Sequence, residues 1–219
     1  EREALERALV ARLGRIGYNV VLFEPAGVSR FPAEALIGVD LTREEIMDLS
    51  QQVFVPLLLL DSFTNDTLFY QFRMDYGHVF RQAARIFGKD GFSCVFGPYR
   101  NSGMRECAYA DIPRDDAYFC TQPEELRNYV RKQSESGKSV VFFSAAAALL
   151  ARDLLREGKS AVVTCASAVK LFSGTAVFQY SETDVAESIV KLLLDLIKRQ
   201  KDRLPSEHLQ KIPVETVRV

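Results

Sequence analysis

Cys120, in Phe119-Cys120-Thr121, and Cys165, in Thr164-Cys165-Ala166, each end an apolar run, and thiols are the residues here best suited to proton transfer. Two opposed thiols can take a proton from one face of a carbon and return it on the other, as a cofactor-independent racemase does. Neither cysteine has a basic neighbour in sequence to lower its pKa, so both are read as small hydrophobes packed in strands. Binding chemistry has better material. Asp61 leaves the run Val55-Pro56-Leu57-Leu58-Leu59-Leu60, where a carboxylate can accept two hydrogen bonds from a polyol or amine; capping the next loop is its other use. Arg105 follows Phe96-Gly97-Pro98 among small and polar residues, so its five-donor fork suits a carboxylate, a phosphate or vicinal hydroxyls, with a surface salt bridge as the alternative. Ser144 precedes four alanines, a junction that lets a ligand or another backbone come close, or simply an Ala-rich helix packed on a sheet. Asp40, Asp75 and the turn Cys165-Ala166-Ser167 also put polar groups just beyond apolar runs. Tyr76 and Tyr99 are candidates for stacking on a flat ligand.

Several chemistries lack their anchors. The sequence holds no Gly-rich phosphate loop, no dinucleotide fingerprint after a strand, no nucleophile elbow and no His-Glu-x-x-His pair, and only two histidines in all. No metal or cofactor is therefore expected, and a non-enzyme is the reading. The four cysteines are dispersed, which suggests reduced thiols. Lys and Arg total 28 against 29 Asp and Glu, a net charge of −1, so there is no excess positive field to hold a phosphate backbone. No apolar run approaches the ~20 residues that span a bilayer, and the charged stretch Glu1 to Arg7 is unlike a signal peptide; the expectation is a cytoplasmic protein without membrane partners.

These residues must be positioned by alternating elements. Strands are expected at Asn19–Phe23, Ala35–Val39, Val55–Asp61, Gln71–Met74, Ser93–Phe96, Ala117–Cys120, Ser139–Ser144 and Ala161–Cys165. Helices are expected at Arg2–Arg15, Arg43–Gln52, Gly77–Phe87, Pro123–Glu135, Ala146–Glu157 and Glu182–Arg203. Continuous apolar strands alternating with helices mean an α/β fold with parallel sheets flanked by helices, in which ligands gather at the carboxyl ends of strands.

Taken in order, several segments resemble the effector-binding domain of lactose-repressor-type (LacI/GalR) transcription regulators. Gly17-Tyr18-Asn19-Val20-Val21-Leu22 is similar to that family's "GYnvll" strand, Ala35-Leu36-Ile37-Gly38-Val39 to "DGiI", and Val55 to Asp61 to "iPvvliD". Arg73-Met74-Asp75-Tyr76-Gly77 resembles "v..Dn..G", Cys94 to Pro98 resembles "i.fi.gp" with Arg105 at the following arginine, and Thr175 to Gln179 resembles "tTv.Q". Leu204-Pro205 with Ile212 to Arg218 is similar to the closing "lp..lv.R" strand. Ser144-Ala145 stands where the family has Asn-Asp, Cys165-Ala166-Ser167 where it has "g.dD", only Ala26 to Phe31 where it has a second helix, and its first strand would precede Glu1.

The resemblance implies a two-lobed, periplasmic-binding-protein-like (type I) fold. Lobe one would be residues 1–87 plus 175–202 and lobe two 88–174 plus 203–219, with a small-molecule effector, a sugar or another metabolite, in the cleft. It implies a homodimer that regulates transcription, reaching DNA through a headpiece outside this chain. Asp61 and Arg105 are the leading ligand contacts, with Asp75, Ser144, Ser167 and, from the resemblance, Gln179. A solute-binding protein of a transport or sensory system uses nearly the same fold, and the two-thiol racemase is the third reading.

Overall fold

The computed structural model describes residues 2–22, 32–66, 68–97, 102–154 and 158–218. They build two sheets. Strands β1 (Leu36–Val39), β2 (Leu57–Leu60), β3 (Tyr70–Met74) and β9 (Leu209–Ile212) lie side by side in that order, all parallel. The larger sheet runs β10 (Glu215–Arg218), β8 (Ala176–Tyr180), β7 (Ser160–Cys165), β6 (Ser139–Phe142), β4 (Phe92–Phe96) and β5 (Ala117–Phe119), parallel except for β10. Seven α-helices accompany them among the described residues: α1 (Arg2–Arg15), α2 (Arg43–Gln52), α3 (Tyr76–Phe87), α4 (Ser102–Asp111), α5 (Pro123–Glu135), α6 (Ala145–Leu150) and α7 (Glu182–Ile197).

The leucine run shows why the sheets are covered twice. All four β2 leucines are buried; Leu58 and Leu60 join the core under α1 and α7, while Leu57 and Leu59 join the one under α2. Each such side chain contributes about 1.5–3 kcal/mol of apolar burial. The second sheet repeats the arrangement: Phe92, Cys94 and Phe96 pack with α3 and α4, and Val95, Val140 and Phe142 with α5 and α6. Helix α2 begins on a capping box, in which Thr42 Oγ1 accepts from the Glu45 amide and Glu45 accepts from the Thr42 amide (2.9 Å).

The chain passes between sheets at three points, Met74–Asp75, Tyr180–Ser181 and Pro213–Val214. Among the described residues, the four-stranded sheet (lobe one) draws its strands from 36–74 and 209–212, and the six-stranded sheet (lobe two) draws its strands from 92–180 and 215–218. Helix α3 belongs to lobe two because Tyr76, Val79 and Ala83 point into its core, and β8 joins lobe two by pairing with β7. The closing segment is two strands, not one: β9 pairs with β3 and β10 with β8, the proline between them preventing a continuous ladder.

Other differences have local causes. Residues 19–22 form no strand, since β1 is the sheet's edge and no neighbour offers them a ladder; Val21 and Leu22 are exposed. Phe23 and the stretch 26–31 lie outside the described residues, as does Tyr99. Helix α6 stops at Leu150, and α7 stops at Ile197 just before Arg199 adopts φ 52°. Helix α4 was not expected at all.

Candidate functional site

Helix α4, which packs on lobe two, starts against the loops of lobe one. Asp40 follows β1 and Asp61 follows β2, both with left-handed backbones (φ 54° and 47°) that aspartate tolerates better than most residues. The Met104 amide, in the first turn of α4, donates to Asp40 Oδ1 at 2.9 Å, so a carboxylate of one lobe caps a helix of the other. Gly103 makes this possible: a Cβ there would lie 2.5 Å from the Leu41 carbonyl oxygen and 2.8 Å from that of Asp61. Ser62 ties the two loops together, its Oγ accepting from the Leu41 amide (2.8 Å) and donating to the Leu60 carbonyl (3.1 Å).

More polar contacts cross beside it. The Tyr76 hydroxyl donates to Asp61 Oδ1 at 3.4 Å, and the Met74 amide reaches the same oxygen at 3.3 Å. Arg73 of β3, its side chain 8% exposed, pairs with Asp111 of α4 at 3.4 Å and sits 5.7 Å from the Phe63 ring centroid. Lys211 of β9 reaches Asp75 at 3.2 Å and Asp111 at 3.6 Å. Burial pushes the Asp75 carboxyl up, but the His78 amide and Lys211 outweigh it and hold the group below its ordinary 3.8. The seam thus carries carboxylates, a guanidinium and helix-end amides, groups that can exchange one another for the hydroxyls or charges of a small ligand.

The six sequence-predicted residues are not all brought together. Asp61 lies in the seam, and Asp75 at its hinge end, where it caps α3 through the His78 amide (3.0 Å). Arg105 is exposed on the first turn of α4 with its guanidinium 5.0 Å from the Phe119 ring centroid. Ser144 is buried and caps α6, accepting from the Ala147 amide at 3.3 Å. Ser167 is exposed beside Cys165 Sγ (3.3 Å). Gln179 lines a cavity near 520 Å³ on the α7 side of the hinge. Tyr76 is buried in the core of lobe two, its hydroxyl alone reaching the seam.

The sequence singles out Asp40 as a polar residue after a strand but gives it no ligand role; sequence reasoning misses Arg73, Gly103 and Asp111, because they need α4, whose inward positions, Cys107 and Ala108, are too small to make an amphipathic stripe stand out.

The thiols do not form a pair. Three strand spacings separate β5 from β7, roughly 14 Å, which is too far to flank one carbon. Cys120 Sγ donates to the Phe96 carbonyl (3.2 Å), and burial together with Glu125 pushes its pKa up to about 11.

No protein-family model matches the chain, and no curated protein matches it by sequence. Solved structures do match its fold. A lac repressor dimer bound to operator and the anti-inducer ONPF superposes with TM-score 0.71 at 14% identity, over 99% of this chain and 87% of that one. A LacI transcriptional regulator from a Rhodococcus species gives 0.70 at 18% identity over 99% and 91%, and the transcription regulator CcpA of Lactococcus lactis 0.71 at 13% over 98% and 92%. With two α/β lobes, three crossings and these neighbours, the chain has the periplasmic-binding-protein-like fold of the LacI-type regulatory domain.

Proposed function

We propose that this chain is the ligand-sensing domain of a transcription regulator, in which a small polar effector bound at the seam between the lobes biases their arrangement and, through a DNA-binding segment outside this chain, operator affinity. The observation that carries the reading is the cross-lobe cap of α4 by Asp40, flanked by Asp61 and the Arg73–Asp111 pair. A ligand that replaces these contacts changes lobe geometry by its differential affinity for the two arrangements, which is what a sensor requires. The fold is shared with a repressor whose structure holds both operator and an anti-inducer, which supports the same division of labour here. A cytoplasmic homodimer without catalysis is part of this reading.

Arg105 is the proposed outer contact, able to swing from Phe119 over the start of α4, and Asp61 the inner one; Asp75, Ser144, Ser167 and Gln179 are proposed as lesser contacts. Ser144 accepts from the Ala147 amide through its hydroxyl oxygen and keeps its O–H free to donate to a ligand. The test is a metabolite screen by thermal shift, followed by calorimetry on the wild type, Arg105→Ala and Arg105→Lys. Loss of a charge-assisted contact costs about 1.5–3 kcal/mol, or roughly ten- to hundredfold in affinity, with Lys recovering part. Unchanged affinity in a folded Arg105→Ala protein removes Arg105 from the site. A ligand that binds without perturbing amide resonances of Asp40, Asp61 or Met104 refutes the seam as the sensing site.

A further inference from the structure

Helix α7 carries a polar stripe, Asp184, Ser188, Lys191 and Asp195, beside its buried apolar face. Val185, Ile189, Leu192 and Leu193 are core residues, while Asp195, one turn further on, is only 7% exposed, and its carboxylate oxygens are not among the sealed, unpartnered atoms of the described residues. It faces the cavity near 520 Å³ noted above, within the ~300–1,000 Å³ range of small-molecule pockets. The α7 residues lining this cavity, among them Asp184, Ser188, Lys191, Leu192 and Asp195, recur at helical spacing, so one face of α7 forms its wall. Phe72, Leu192 and Ile212 supply apolar surface, and Lys191 and Arg203 stand among the polar lining residues.

We propose that this cavity, which adjoins the lobe seam and shares Gln179 and Lys211 with it, is a second ligand site for a small cationic amphiphile: an organic ammonium whose charge pairs with Asp195 and whose apolar body lies against Phe72, Leu192 and Ile212. The ligand's N–H groups donate to the carboxylate, and the apolar lining favours a hydrocarbon or aromatic body over a bare metal ion. The inference does not depend on the seam's binding an effector. The site lies along the helix that follows one lobe crossing and the strand that precedes another, so its occupancy is placed to influence the hinge.

The full chain is titrated with 2-phenylethylammonium and with neutral 2-phenylethanol, following backbone amide resonances. The ammonium compound is expected to shift Leu192 to Asp195 and Gln210 to Ile212 saturably, and to bind at least tenfold more tightly than the alcohol. Asp195→Asn should abolish that preference while leaving the melting temperature of the free protein unchanged, since the carboxylate faces the cavity and the substitution keeps its size. Equal binding of the two compounds to the wild type, shifts confined to the seam residues, or retained preference in Asp195→Asn would each overturn the proposal. A lowered melting temperature in Asp195→Asn with ammonium binding intact would show that Lys191 or Arg203 neutralises the carboxylate from within, and that too overturns it.

Discussion

Asp75 shows how one side chain serves both element and junction. Its carboxylate caps α3 and holds Lys211 of the opposite lobe, and both interactions favour the charged form. A carboxyl whose pKa is lowered by folding adds stability above its unfolded value of 3.8, and that stability is lost as pH falls through the lower folded value. Melting temperatures should therefore fall from about pH 5 toward pH 3, and less steeply in Asp75→Asn, which keeps a capping oxygen but cannot titrate. Parallel curves for the two proteins would remove Asp75 from the acid response. The group was legible in the sequence as a polar residue after a strand, but its partner was not, because Lys211 lies 136 positions away and arrives only through β3–β9 pairing.

Among the elements, the strands were the easiest to read. Leucine, valine and phenylalanine runs buried on both faces leave no periodicity to misjudge, and β2, β4, β6 and β7 fall within one or two residues of expectation. The misses fall where long-range pairing decides. Residues 19–22 have a strand's composition and no neighbour, and the closing segment divides between two sheets. Helix α4 is the consequential miss, since it forms one wall of the seam. Its docking depends on Gly103, so Gly103→Ala should push the start of α4 away from backbone atoms of Leu41 and Asp61 that cannot yield as a side chain would. The expected result is a lobe opening seen as an increased radius of gyration in solution scattering, with the Asp40 to Met104 hydrogen bond lost to faster amide exchange at Met104. Unchanged scattering and exchange would mean that α4 accommodates the methyl without moving.

For the molecule as a whole, the two-lobed architecture was foreseeable from segment order, while the sheet that each closing strand joins was not, because that is decided by its neighbours. Homodimerisation belongs to the proposed reading. It has apolar surface available on lobe two, where Leu149 and Leu150 are each 41% exposed and Leu171 is 51% exposed. Sedimentation should find a dimer at tens of micromolar without DNA, and a monomer throughout that range counts against the assembly.

The three crossings also set the order in which the molecule can be built during synthesis. Lobe two has five of its six strands in one uninterrupted stretch, from β4 to β8, and waits only for the edge strand β10. Lobe one is interrupted: α1 and β1 to β3 emerge first, but α7, which closes over them, and β9, which finishes their sheet, arrive only after lobe two has been made. The later lobe in sequence can therefore fold before the earlier one, the reverse of the usual N-terminal-first order. Until α7 arrives, Leu58, Leu60 and Phe72 remain exposed on a ribosome-bound chain. The early half of lobe one is thus the part that most needs protection from aggregation, and a chain ending before Glu182 would hold a nearly complete lobe two beside an unfinished lobe one.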